Sequence, residues 1–391
     1  MKLFQCQNCR ALLYFENTRC ESCGYSLGYL PFRETLTALR PLRVGFRALA
    51  EPRGRYRLCA NFVHGVCNWL VRSDQPDPYC AACRHNRMIP DLSLPDNLAH
   101  WQKIEIAKHR LFYTLLALRL PLATNTEDPA GLAFDFIADH NTPSGHIPAV
   151  TGHENGLITI NLAEADDVER ERRRSQMGEP YRTLLGHFRH EIAHYFWDRL
   201  VANSANLDGF RSIFGDERKD YTAALQQHYA NGPPPNWPEN FVSVYASSHP
   251  WEDFAETWAH YFHMVDTLEM AGAFGLSVNP RLPKGGKRLA AVINFDPHSA
   301  PMDRLVEAWL PLTYAMNSIN RSMGLQDLYP FILTPAVIVK INFVHACIHS
   351  QDGWRRDSAA RGALKAIVAG LKAGLPNRLA LSPTGDRTTN H

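Results

Sequence analysis

No stretch of this 391-residue chain approaches the ~20 uninterrupted apolar residues that a membrane-crossing helix needs. The best candidate, LFYTLLALRLPLA from Leu111, is too short and carries Arg119. The opening residues, MKLFQCQNCR, contain neither an apolar core nor a small-residue cleavage site, so no signal peptide is expected and the cytoplasm is the expected compartment. A dominant charge is missing too. Lys and Arg total 41 against 39 Asp and Glu; a net charge of +2 is too small to argue for an anionic membrane and counts against nucleic acid as partner. Arginine is locally dense from Arg33 to Arg57 and from Arg170 to Arg174. The second group lies among Asp166, Asp167, Glu169 and Glu171, which reads as a solvated helix face. Cysteine is nearly absent after residue 83, where Cys347 alone remains of nine. In a reducing compartment the other eight stay available as metal thiolates.

Those eight fall into two groups of four. Cys6-x2-Cys9 and Cys20-x2-Cys23, followed by Gly24, form a first group; Cys59, Cys67 and Cys80-x2-Cys83 form a second. Zinc takes four tetrahedral thiolates, and a Cys-x2-Cys knuckle presents two sulfurs to one ion, so two structural zinc sites are predicted. In the second, His64 or His85 could replace a sulfur, and the spacing leaves cysteine pairing open. Zinc here would hold together a segment too small to make its own core, with a protein partner as the alternative role. The composition shift, followed by the turn-rich MIPDLSLPDN, divides the chain into a zinc-ribbon module at 1–92 and a second region at 93–391.

The second region reads as helix from Asn97 to about Leu118. Strands follow at Leu132–Ile137 and Gly156–Leu162. A helical stretch from near Ala163 breaks at Gly178-Glu179-Pro180 and resumes from Tyr181 to about Val201. The proline-rich Asn231–Asn240 cannot be helix. Further helices are predicted at Pro250–Ala271, Pro301–Asn320 and Pro335–Ser350, with a loop at Pro283–Arg288 and a frayed C-terminus. The fold class is α+β: a zinc-ribbon module, then a mostly helical domain with a small sheet.

Within the resumed helix stands His190-Glu191-Ile192-Ala193-His194. Residues four apart share a helix face, so both imidazoles can reach one zinc ion. Glu191 beside them can take a proton from a zinc-bound water. Such a site needs a third ligand. A third histidine at the His-x2-Gly-x2-His spacing is missing, because Trp197 and Leu200 occupy those positions. Downstream helical glutamates are the alternative, and Glu252 and Glu256 lie one turn apart on one face. His187 reads as a polar neighbour, and His260 and His263 as polar residues of a packed helix.

Tyr245, Glu252 and Phe254-Ala255-Glu256 together resemble the tyrosine and Glu-x-Phe-Ala-Glu arrangement of anthrax lethal factor and the Pro-Pro endopeptidases. More broadly, TGHENGLITINLAEADD, the His190–His194 helix and HPWEDFAETWAHY resemble a bacterial family of zinc-binding metallopeptidases with an N-terminal zinc ribbon. The resemblance implies a zincin-like (gluzincin) peptidase domain with one catalytic zinc besides two structural ones, and a peptide or protein substrate. It implies that Glu252 joins His190 and His194 on the metal and that Glu191 is the general base. Glu256 would hold a zinc histidine from behind, and Tyr245 would stabilise the oxyanion. By fold analogy, GLITINL would form the sheet edge that pairs with an extended substrate. The competing assignment has Glu256 as the ligand.

Overall fold

The computed structural model describes residues 2–142, 145–147, 151–177, 183–282 and 286–349. The expected helix break at Gly178-Glu179-Pro180, the start of the loop at Pro283 and the C-terminal stretch lie outside the described residues. The architecture is the expected one: an N-terminal zinc ribbon with small sheets, followed by a mostly helical part.

The ribbon begins with a short hairpin, β1 (Phe4–Gln5) and β2 (Leu12–Leu13), around the first knuckle. An antiparallel meander follows in the order β3 (Leu27–Leu30), β4 (Thr35–Pro41), β5 (Phe46–Ala48), β6 (Glu51–Leu58) and β7 (Leu70–Arg72). The Tyr29 N–H bonds the Asn68 carbonyl at 2.9 Å, which draws the first strand of the meander toward the last.

A second sheet has the order β12–β13–β9–β8. It is made of β8 (Asn86–Met88), β9 (Ala133–Ile137), β12 (Gly152–Glu154) and β13 (Leu157–Asn161); a small hairpin, β10 (His140–Thr142) and β11 (Gly145–Ile147), lies between β9 and β12 in the chain. β8 and β13 run parallel to β9, and β12 runs antiparallel to β13. The turn from β12 to β13 places Asn155 at φ 48° and Gly156 at φ 85°. Two successive left-handed residues match the right-handed strand twist, which favours Asn-Gly. A Cβ on Gly156 would also stand 2.6 Å from the Ala130 carbonyl oxygen. This hairpin corrects the edge assignment from the sequence. GLITINL is an inner strand, covered on one side by β9 and on the other by β12, and β12 is the edge.

The helices are α1 (Asn97–Ala117), α2 (Asp167–Met177), α3 (Leu184–Trp197), α4 (Leu207–Phe214), α5 (Tyr221–Asn231), α6 (Trp237–Asn240), α7 (Pro250–Ala273), α8 (Met302–Ser322) and α9 (Pro335–His349). α6 is a single turn inside the proline-rich segment expected to be non-helical. Its Pro238 falls in the first turn, where no intrahelical N–H bond is lost. α7 is buried on most of its faces, charged residues such as Glu252 and Asp253 included, and packs against α3, α8 and α9. Trp258 on α7 stacks on Phe196 of α3 at 5.2 Å, fixing the two helices that carry the site.

Ribbon and helices share one core. Phe15 and Tyr29 of the ribbon meet Tyr113 of α1, Trp69 meets His109 of the same helix, and Trp101, Ile104 and Phe112 continue the same cluster. The Asn86–Met88 strand, before the compositional boundary near residue 92, pairs with β9 beyond it. Among the described residues no helix is long and apolar enough to cross a membrane.

Candidate metal centre

Two helix starts aim the site. Thr183 caps α3, its hydroxyl oxygen accepting the Gly186 N–H at 3.0 Å. From that start the register turns Phe188, Ile192 and Phe196 into the core and His190 and His194 toward α7. His249 caps α7 by accepting the Trp251 N–H at 3.1 Å, and Pro250 follows at the first helical position. Glu252 and Asp253 then fall in the first turn, where the helix dipole favours carboxylates.

His190, His194 and Glu252 are brought together, with one ligand atom from each lying within 4.8 Å of the others. Glu252 Oε2 is 2.9 Å from His190 Nε2, and Oε1 is 3.6 Å from His194 Nε2. Glu252 is 1% exposed, so its charge needs a buried partner. Burial alone would raise its pKa; His194, His190 and the Tyr221 hydroxyl instead hold it down at about 2.

Glu256 stands on the opposite side of His190. Its Oε1 is 2.8 Å from His190 Nδ1, and its Oε2 accepts the Ser243 hydroxyl at 2.7 Å. Both of its oxygens are engaged away from the gathered ligand atoms, unlike those of Glu252.

This arrangement tests whether a cation fits. His190 has a carboxylate at each ring nitrogen, but a neutral imidazole has only one N–H to offer. A cation on the Nε2 side resolves the conflict and leaves Nδ1–H for Glu256, the usual outer support of a metal-bound histidine. Glu252 Oε2 makes no hydrogen bond although buried, and burial drives His194 down to about 3, a neutral imidazole suited to ligation. The imidazole–imidazole–carboxylate donor set is one that zinc takes.

Glu191, next to His190, is buried, and that burial raises its pKa despite the pull of His190 and His187. His187 Nε2 lies 3.6 Å from Glu191 Oε1, and its Nδ1 lies 3.5 Å from the buried Glu164. Tyr245 occupies a short turn before α7, with its ring 5.8 Å from that of His190.

With this geometry in view, comparison with known proteins is informative. Residues 97–347 match a family model described as "Putative zinc-binding metallo-peptidase", and residues 3–94 match a zinc-ribbon domain. The chain belongs to this metallopeptidase family. Its relatives include uncharacterized proteins of Mycobacterium bovis and Mycobacterium tuberculosis, each 42% identical over 353 residues, which is 89% of this chain and 95% of theirs. No solved structure matches.

Two four-sulfur clusters accompany the helix-borne centre in this metallopeptidase chain. Cys6, Cys9, Cys20 and Cys23 converge, with Gly24 at φ 76° closing the second knuckle. Cys59, Cys67, Cys80 and Cys83 also converge, so pairing follows sequence order without bracing between clusters. Neither suggested histidine joins them. His85 turns its Nδ1 to the Leu132 carbonyl at 2.9 Å, and the His64 ring lies tilted beside Trp101 at 5.7 Å. The histidine that does approach was missed: His109 of α1 places Nε2 3.7 Å from Cys83 Sγ and 3.9 Å from Cys80 Sγ.

Three more residues at the helix-borne centre escaped the sequence reading. Tyr221 donates its hydroxyl to Glu252 Oε1 at 2.8 Å. Trp251 packs its ring 4.1 Å from that of His194, and His153 of β12 lies 6.2 Å from the same ring. Tyr221 and His153 come from segments 31 and 41 residues away from Glu252 and His194, with no periodicity linking them. Trp251 and His153 did lie in segments that carry the family resemblance, HPWEDFAETWAHY and TGHENGLITINLAEADD, whereas Tyr221 had no signal.

Proposed function

We propose that the protein is a zinc metallopeptidase that hydrolyses peptide bonds, with His190, His194 and Glu252 as the ligands. The observation that carries this reading is His190 held between Glu252 and Glu256, with the glutamate of an HExxH helix beside it. Zinc, when bound, would acidify a coordinated water and polarise the scissile carbonyl. Glu191 accepts the water proton and delivers it to the leaving amine; burial keeps its proton affinity high enough for both transfers. Tyr245 donates its hydroxyl to the oxygen that becomes negative; its own proton is held firmly by burial and by nearby Glu252. Glu256 fixes the His190 ring through Nδ1.

The seven-residue step from Tyr245 to Glu252, similar to that of lethal factor and the Pro-Pro endopeptidases, supports the gluzincin assignment. The short edge strand β12, whose His153 lies beside His194, suits an extended peptide substrate paired through its main chain. The two cysteine clusters would hold one structural zinc each, giving about three ions per chain. Their reduced, metal-suited thiols fit the cytoplasm.

The test is zinc content and peptide cleavage together. Wild type should hold about three zinc ions, and a His190→Ala/His194→Ala variant about two. Glu191→Ala should keep all three and lose cleavage. Undiminished turnover in Glu191→Ala would refute the mechanism.

A further inference from the structure

We propose that Tyr221 is a positioning residue of the metal centre and the latch of a lid formed by the α5 segment. This rests on the zinc-peptidase reading above. The hydroxyl of Tyr221 donates to Glu252 Oε1, while Oε2 is the oxygen that stands 2.9 Å from His190 Nε2 and makes no hydrogen bond. One oxygen of the ligand carboxylate is therefore tied to α5 and the other is left for the metal. The Tyr221 ring lies edge-on to His249 at 5.3 Å and to Trp251 at 6.0 Å, so it covers the first turn of α7, where Glu252 sits. Its hydroxyl also interacts with that of Tyr245. Two phenols thus meet at the site, one from the body of the protein and one from α5.

The helix that carries Tyr221 is unusual: none of its eleven residues is buried. Asp220 caps it by accepting the Ala223 N–H at 3.0 Å, which fixes Tyr221 at the first helical position. Glycines bound the segment. Gly215 has φ 107°, ψ −173° and Gly232 has φ 73°, ψ −177°, conformations open essentially to glycine alone. Space does not explain them. A Cβ would meet only Pro250 at 3.4 Å at the first and nothing within 4 Å at the second. Between these points the segment is held to α7 by the Tyr221–Glu252 bond and by the His249 Nε2–H donating to the Lys219 carbonyl at 3.2 Å. The Arg211–Glu217 ion pair pins its root. Swinging it outward exposes no buried residue of α5 and releases the Tyr221 and Lys219 contacts to α7, the profile of a segment that opens locally. Closure returns the phenol to Glu252, so covering the substrate and orienting the ligand become one event.

The test uses the full-length, zinc-loaded chain. Tyr221→Phe keeps the ring and removes the hydroxyl. Zinc release to a chelator from the helix-borne site should become about 10- to 100-fold faster, while the two cysteine sites, read in the same traces, stay unchanged. Amide exchange over residues 216–232 should slow when zinc is added to the wild type but not to Tyr221→Phe. Wild-type release and wild-type protection in Tyr221→Phe would overturn the latch. A wild type with only two zinc ions, both on cysteines, would instead remove the metallopeptidase reading and the latch with it, a result visible before any variant is made.

Discussion

Lys108 and Glu105 face each other one turn apart on α1, and neither side chain has any accessible surface. Lys108 Nζ lies 2.7 Å from Glu105 Oε1 and also donates to Asn86 Oδ1, while Asn86 Nδ2 donates to Glu105 Oε1 at 2.8 Å. The ammonium also lies 5.7 Å and 5.4 Å from the rings of Phe134 and Phe136. At an effective dielectric of about 20, two charges at this distance attract by about 6 kcal/mol. Desolvation costs several kcal/mol per ion, so the intact pair is worth little net. Its two halves are not separately expendable. Lys108→Met leaves a buried carboxylate beside the Cys83 sulfur and should cost about 3–5 kcal/mol. Adding Glu105→Gln keeps the contacts with Asn86, removes the stranded charge and should restore most of that loss. The assay is urea unfolding of the zinc-loaded protein around the full cycle, where the single variant should lower the midpoint by roughly 1 M or more. The pH dependence has a definite sign. Burial already raises the Glu105 pKa, and without Lys108 it rises further. The folded variant then holds a proton that the unfolded chain has lost, so its deficit should be larger at pH 8 than at pH 6. A single variant within 1 kcal/mol of wild type, or a double variant as unstable as the single, would refute the reasoning.

Three further outcomes follow from the site and its surroundings. Tyr245→Phe should lower kcat by about 10²- to 10³-fold with little change in KM, read on any peptide the wild type cleaves. Glu256→Gln should weaken zinc at the helix-borne site by about tenfold without affecting the cysteine sites, because an amide still accepts from His190 Nδ1 but carries no charge. His260, buried against Phe331 and bonded to the Tyr329 hydroxyl, has its pKa pushed by burial from 6.5 to about 4. Its contribution is present above pH 6.5 and is lost as pH falls toward 4, by about 2 kcal/mol at pH 5. Unfolding of His260→Gln should accordingly fall less steeply between pH 7 and pH 5 than that of the wild type.

What the sequence disclosed tracks how locally each feature is encoded. The four cysteines before Gly24 and the two histidines four apart are periodic motifs, and both were legible at once. α1, α7, α8 and α9 lie within a few residues of the spans read from apolar spacing. What escaped depends on contacts distant in sequence. Lys108 sits at a helix-like spacing that marks no special role, yet it lies buried against Phe134, while His109, beside it, reaches Cys83 across 26 residues. The GLITINL strand was rightly found, but its place in the sheet depends on a three-residue neighbour, Gly152–Glu154, too short to show alternation. The choice between Glu252 and Glu256 was open because both share a helix face. In the structure their surroundings differ: the Ser243 hydroxyl bonds Glu256 and the Tyr221 hydroxyl bonds Glu252.

The parallel pairing of Asn86–Met88 with β9 bears on how such chains are assembled over evolution and at the bench. A cut at the natural-looking seam between the two family matches, 3–94 and 97–347, would take β8 away with the ribbon. The mostly helical half would then keep a bare parallel edge at β9, with unpaired N–H and carbonyl groups that invite sticking to another chain. The N-terminal zinc ribbon is therefore no detachable adaptor. It is the sidewall of the second sheet, and a lineage that shed or exchanged it would have had to rebuild that wall.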